Sequence, residues 1–295
     1  MASLEAQLTE YLQQEQVDPV PILARLEQVD QPLAQWLSNQ CEGRETPLLV
    51  GVNGAQGSGK STFSHTLQRV LRAIGIESLV LSLDDYYLSR AEREVLAQTI
   101  HPLLETRGVP GTHNLQRLEH VLQQLKRGQP GETLSLARFD KGSDDCVADQ
   151  CWTVPQDGLQ IVLLEGWCIG ALPQQEPALS RAINVLEQEE DATGEWRRFV
   201  NQQLQQQYSA LFDQLDLLVM LQVPSMEQVV SWRQLQEEKL RACQGRGMTP
   251  LQIVRFVSLF ERLTRHMLVE LPTRAAVLLP IGEDHQIRAL QIKSQ

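Results

Sequence analysis

Short apolar runs alternate along this chain with stretches whose apolar residues recur every three or four positions. The run Leu48-Leu49-Val50-Gly51-Val52 leads into glycines and then into a helical pattern over 62–74. Further runs cover 79–83, 161–164, 217–223 and 275–279. Runs this short and continuous mark strands buried on both faces, whereas the 3–4 spacing between them marks amphipathic helices. Five such strands separated by helices predict an α/β fold, a five-stranded parallel sheet with helices on both faces. Sheets of this kind bind ligands beyond the carboxyl ends of their strands. Asp84-Asp85 and Glu165 stand at two of those ends.

Residues 1–46 have a different texture. Leu4, Leu8, Tyr11 and Leu12 recur at helical spacing, Pro19 and Pro21 interrupt, and a second amphipathic stretch runs through Leu26, Leu33 and Trp36. They predict an N-terminal helical extension packed on a main domain over 47–295. Between Asp85 and Leu159 the chain is too long for a plain crossover, so 86–158 reads as an insertion at the carboxyl edge of the sheet. Within it we expect helices over 91–104 and 115–126, then a hairpin with arms at 133–139 and 151–154 around a polar loop at 140–150. A helix follows the fourth strand over 226–242, and from Thr249 the stripe Ile253, Phe256, Val257, Phe260, Leu263 and Met267 faces a core.

Composition narrows the partners. Of 295 residues, 37 are Asp or Glu and 26 are Lys or Arg, a formal net charge of -11. Such a surface repels nucleic-acid phosphates, and no basic patch offsets it, so no nucleic-acid partner is expected. No stretch approaches the roughly 18 apolar residues of a membrane span. The first residues lack the basic-then-apolar pattern of a secretory signal. Five scattered cysteines without CxxC spacing read as reduced thiols, and a cytoplasmic protein is expected.

Gly54-Ala55-Gln56-Gly57-Ser58-Gly59-Lys60-Ser61, followed by Thr62, matches G-x-x-x-x-G-K-[ST] and lies between a strand and a helix. Glycines at these points let the backbone turn and bring several N–H groups against phosphate oxygens. The helix that follows adds the positive end of its dipole. Lys60 reaches the β- and γ-phosphates, and the Ser61 hydroxyl ligates Mg²⁺. Glu165, at the end of another apolar run, can hold the magnesium shell or orient a metal-bound water. The motif therefore predicts ATP and Mg²⁺ as cofactors.

A phosphate cradle alone does not separate a kinase from a nucleotide switch. Ser82-Leu83-Asp84-Asp85-Tyr86-Tyr87 points to a kinase, because phosphorylating a hydroxyl calls for a carboxylate beside the γ-phosphate to take or aim the hydroxyl proton. Asp84 is placed for that role. Asp85 and Tyr87 belong to the acceptor site, with the tyrosines as walls. Arg138 and Lys141 offer cations to an acidic acceptor, and the planar fork of Arg138 suits a carboxylate best.

The cradle, the 82–87 stretch and Glu165-Gly166-Trp167 resemble the superfamily of phosphoribulokinase, uridine kinase and bacterial pantothenate kinase. Four more stretches are similar to the D-glycerate 3-kinase family. They are Arg107-Gly108-Val109-Pro110-Gly111-Thr112-His113-Asn114, Arg138-Phe139-Asp140-Lys141, Gly245-Arg246-Gly247-Met248-Thr249-Pro250 and Phe260-Glu261-Arg262-Leu263-Thr264-Arg265-His266. The resemblance runs from about residue 47 to the C-terminus. It implies a nucleoside-kinase-like P-loop NTPase domain and the conversion of glycerate and ATP to 3-phosphoglycerate. It further implies Asp84 as base, Lys60 as phosphate lysine, Ser61 and Glu165 on the metal, and the stretch around His113 with Arg138 and Lys141 lining the acceptor pocket. A helical lid over 225–250 would bring Arg233 to the transferred charge, with Arg241 and Arg246 as alternatives. The family has Asp after Gly-Thr-His where this chain has Asn114, a change that bears on acceptor choice. Asn114 is equally a favoured N-cap for a helix starting at Leu115. A nucleoside, a pantothenate-like acid or a sugar is the alternative acceptor. A nucleotide-hydrolysing switch or chaperone is the alternative from another class; its guanine-dependent form is disfavoured, since Pro224-Ser225-Met226-Glu227 stands where such a switch carries Asn-Lys-x-Asp.

Overall fold

The computed structural model describes residues 3–244 and 248–293. Helices α1 (Leu4–Gln14), α2 (Pro19–Arg25) and α3 (Gln31–Gln40) precede β1 (Leu48–Gly54), α4 (Lys60–Ala73) and β2 (Ser78–Ser82). The insertion holds α5 (Arg90–Thr99), α6 (Leu115–Arg127) and the hairpin β3 (Thr133–Asp140) and β4 (Asp145–Thr153). After β5 (Ile161–Gly166) come α7 (Glu176–Leu179), α8 (Val185–Glu189), α9 (Glu195–Gln203) and α10 (Ser209–Phe212). The chain ends with β6 (Leu217–Gln222), α11 (Met226–Gln244), α12 (Pro250–Arg274), β7 (Val277–Pro280) and β8 (Gln291–Ile292).

The main sheet has the order β2-β5-β1-β6-β7-β8. Its first five members run parallel, as the apolar runs predict, with Val52 opposite Glu165 across β1 and β5. The sixth strand, β8, was not expected. It adds a short antiparallel edge on which Ile292 pairs with Val277, and its two exposed residues form no apolar run to read.

Every residue of β1 and β5 is buried, because both faces of the sheet are covered. Successive residues point to opposite faces. Leu49, Val162, Leu164, Leu218 and Met220 join one apolar layer with α6, α9 and α12. Leu48, Val50, Ile161, Leu163 and Val219 join the other, together with Phe63 and Leu67 of α4. Leu8, Leu33 and Leu37 of the N-terminal helices lie in this second layer too, so the extension covers part of a sheet face.

The insertion departs from its expected form in two places. The helix expected over 91–104 stops at Thr99, and a separate 3₁₀ turn covers Pro102–Glu105. Pro102 cannot continue α5, and the His101 ring caps the new turn by accepting from the Leu103 N–H at 3.2 Å. The hairpin loop is far shorter than 140–150. Asp140 accepts the N–H groups of Gly142 and Ser143, the chain turns, and β4 starts at Asp145. Most of β4 is solvent-exposed, so it lacks the apolar alternation by which a strand is recognised.

Candidate active site

The cradle forms where β1 stops and α4 begins. Gly57 (φ 74°) and Gly59 (φ 81°) take the left-handed conformation that residues with a Cβ avoid. α11 runs alongside, since a Cβ on Gly57 would lie 3.5 Å from Trp232 Cβ and 3.9 Å from the Arg233 nitrogen. Gln56 Oε1 and Ser58 Oγ are buried here with no hydrogen-bond partner among the described residues. Ser61 Oγ donates to Glu165 Oε1 at 2.9 Å, while Glu165 Oε2 is buried with no hydrogen-bond partner among the described residues. The parallel register makes this meeting possible by bringing the ends of β1 and β5 level. Asn53, at the end of β1, donates to the carbonyls of Trp167 and Ile169 and so fixes the chain leaving β5.

Asp84 and Asp85 sit on a 3₁₀ turn (Leu83–Tyr86) that prolongs β2, with Ser82 Oγ accepting the Asp84 N–H. Asp84 Oδ2 meets Lys141 Nζ at 2.6 Å, and Tyr87 donates to Oδ1 at 2.7 Å. Burial pushes the Asp84 carboxyl up, but the charges of Lys141 and Lys60, with the two hydrogen bonds, outweigh it and hold it well below the carboxylate range. Asp85 turns the other way. Its Oδ2 pairs with Arg138 Nη1 at 3.1 Å, and its Oδ1 accepts the Phe139 N–H at 3.2 Å, so it clasps the hairpin. Burial wins there and raises its carboxyl despite Arg138.

Three residues expected in the acceptor site surround Asp84. The Tyr87 ring lies 4.6 Å from the His113 ring and 5.2 Å from Phe139. His113 is buried, with Nδ1 2.6 Å from the Tyr208 hydroxyl, and burial lowers its pKa to about 4. Lys141 sits on Asp84 itself. Asn114 is different, because its side chain caps α6 by accepting the Arg117 N–H at 3.1 Å. Arg138 is likewise engaged by Asp85 rather than open toward Asp84.

On the lid side, Arg233 is paired with Glu237 one turn along α11 and lies 5.3 Å from the Phe256 ring centroid. The Arg241 side chain and Arg246, the alternative lid cations, lie outside the described residues, as do Gly245 and Gly247 of the quoted motif. Arg107 was missed as a site residue. It pairs with Asp144 in the hairpin turn and reaches the Lys141 carbonyl, and burial, with a smaller contribution from the Arg107 charge, lowers the Arg233 pKa. Gly108 beside it is an obligate glycine, since a Cβ there would come within 2.5 Å of the Phe260 ring. Trp167 Nε1 donates to the Gly108 carbonyl at 2.7 Å, which ties this stretch to the end of β5. Tyr208 was missed as well, for it lies 95 residues from His113 in the chain.

A glycine cradle at the carboxyl edge of a parallel sheet, facing an ionised aspartate within the field of the cradle lysine, is built to move a phosphoryl group, and the chain is a P-loop kinase. It is 31% identical over 244 residues to the uncharacterized kinase mug58 of Schizosaccharomyces pombe, covering 80% of this chain and 86% of that protein. The solved structure of D-glycerate 3-kinase from Cryptococcus neoformans matches with a TM-score of 0.71 and 26% identity, over 90% of this chain and 99% of that one. The chain belongs to the D-glycerate 3-kinase family. The chloroplastic D-glycerate 3-kinase of Arabidopsis thaliana is 27% identical over 256 residues, or 81% of this chain; the match spans only 54% of the plant enzyme. No family model matches the chain. Among the described residues, no helix is long and apolar enough to cross a membrane.

Proposed function

We propose that this protein transfers the γ-phosphoryl group of ATP to a hydroxyl of D-glycerate, giving 3-phosphoglycerate. The observation that carries the reading is Asp84, ionised by Lys141 and Lys60 on the turn that prolongs β2, with β5 between β2 and the cradle strand β1. Relatives named D-glycerate 3-kinase support the choice of acceptor. A carboxylate held this far below its usual range is a weak base, since general bases work best with a pKa near the operating pH. Its contribution is then to aim the acceptor hydroxyl at the γ-phosphorus and to receive its proton as the new bond forms. That suits phosphoryl transfer, in which positioning and electrostatic stabilisation dominate.

Lys60 holds the β- and γ-phosphates in this reading, with the backbone N–H groups of 54–62 around them. Mg²⁺ fits the pair Ser61 and Glu165, because the buried Oε2 of Glu165 has no hydrogen-bond partner among the described residues that would compete for it. A bound Mg²⁺ supplies charge neutralisation to the phosphate oxygens. Of the two cations expected to hold the acceptor carboxylate, Lys141 is the one beside Asp84 and is assigned that role. Arg233 and Arg107 supply positive charge on the lid side of the cradle.

The test is a coupled ADP-release assay over hydroxy acids, sugars and nucleosides. D-glycerate is expected to give the highest kcat/KM, with kcat on the order of 1–100 s⁻¹. A nucleoside or pantothenate outperforming it overturns the assignment.

A further inference from the structure

The acceptor side of the site ends on a histidine whose hydrogen bonding is half satisfied. His113 is 5% exposed. Its Nδ1 is matched to the Tyr208 hydroxyl, but its Nε2, also buried, has no hydrogen-bond partner among the described residues. The Tyr208 hydroxyl also accepts the backbone N–H of Gly111 at 3.1 Å, and Tyr208 is fully buried.

These contacts decide which nitrogen carries the imidazole proton. A neutral imidazole has one N–H and one acceptor nitrogen, and a phenol has one proton to give. If Nδ1 donated to Tyr208, the phenol oxygen would accept twice and its own proton would be stranded in the interior. If Tyr208 donates to Nδ1, then the Gly111 N–H, the hydroxyl and Nδ1 are all satisfied, and the imidazole proton sits on Nε2. Burial raises the phenol pKa and lowers that of the imidazole, so both groups are neutral near pH 7. The ring that carries this unpaired N–H packs on Tyr87, whose hydroxyl donates to Asp84.

We propose that the Nε2–H of His113 receives an oxygen of the acceptor hydroxy acid, and that Tyr208 is a positioning residue that keeps the proton on that nitrogen. The inference rests on the reading of Asp84 as the group that aims the acceptor hydroxyl. It adds a rule of recognition, because the acceptor must present an oxygen lone pair here. An acceptor presenting an N–H at this point would set two donors against each other.

Long-range ¹H–¹⁵N spectra of the histidine-labelled enzyme, combined with steady-state kinetics, test it. In wild type, His113 is expected as a single Nε2–H tautomer; in Tyr208→Phe both tautomers appear. His113→Leu is expected to raise the acceptor KM about 10-fold or more, as loss of a buried hydrogen bond does, with the nucleotide KM unchanged. Tyr208→Phe shifts the acceptor KM the same way, and His113→Gln, whose amide can donate, recovers part of the loss. An Nδ1–H tautomer in wild type overturns the proposal. So does a folded His113→Leu enzyme that keeps its acceptor KM, and the wild-type spectrum decides even if that variant fails to fold. A failure of the glycerate reading appears separately, as another acceptor preferred by the wild-type enzyme, and the variants are then compared on that acceptor.

Discussion

Asp84 and Asp85 are adjacent on one turn, yet their surroundings drive them apart. Asp84 lies within reach of Lys141 and in the field of Lys60, whereas Asp85 answers to Arg138 and a backbone N–H of the hairpin. Asp84→Asn removes the accepting charge without changing shape. Its kcat is expected to fall about 10²-fold or more, with nucleotide binding retained. Asp85→Asn weakens the hairpin clasp and is expected to affect the acceptor KM more than kcat. Steady-state kinetics on the two variants check this, and the reverse order would place the reacting carboxylate one residue along. The adjacent acids were legible in the sequence. Asp84 as the reacting acid was expected as well, but the partners that set the two apart were not, because those cations lie 53 and 57 residues away.

The β3–β4 hairpin shows how an element becomes part of a site. Arg93, 1% exposed, donates to the carbonyls of Leu88, Glu105 and Asp144 and so joins α5, the 3₁₀ turn after it and the hairpin turn. The Asp85–Arg138 pair adds a second clasp. Arg138 then acts by holding the hairpin, with Lys141 on its turn, over Asp84. Arg138→Ala is expected to lower activity on D-glycerate and on glycerol in equal proportion, leaving the nucleotide KM unchanged. Adding Asp85→Asn is expected to cost little more, since both changes break one contact. Loss confined to D-glycerate, measured as kcat/KM on both acceptors, would return Arg138 to the acceptor carboxylate. The sequence placed Arg138 near the chemistry but could not show its partner. For Asn114 it left two roles open, and the structure shows the side chain capping α6.

Across the whole molecule, two apolar layers sandwich the sheet, and the N-terminal helices complete one of them. Leu37 is fully buried among residues of β1 and α4. Leu37→Ala is expected to destabilise the fold by about 2–5 kcal/mol, as large-to-small core changes do, while leaving both KM values unchanged. Thermal unfolding with parallel kinetics checks it, and a stability close to wild type would make α3 peripheral. The order of strands and helices, the cradle and its lysine, and the acids at the strand ends were all determined by the sequence. Each is written in a local period or a short motif, since strand burial, helix amphipathicity and the glycine turn act within a few residues. The sequence put Ser61 and Glu165 on one metal, but the tertiary structure alone decided the direct contacts of Ser61 with Glu165, His113 with Tyr208 and Asp84 with Lys141. Those pairs are 57 to 104 residues apart and are set by strand register and layer packing, which no local pattern encodes.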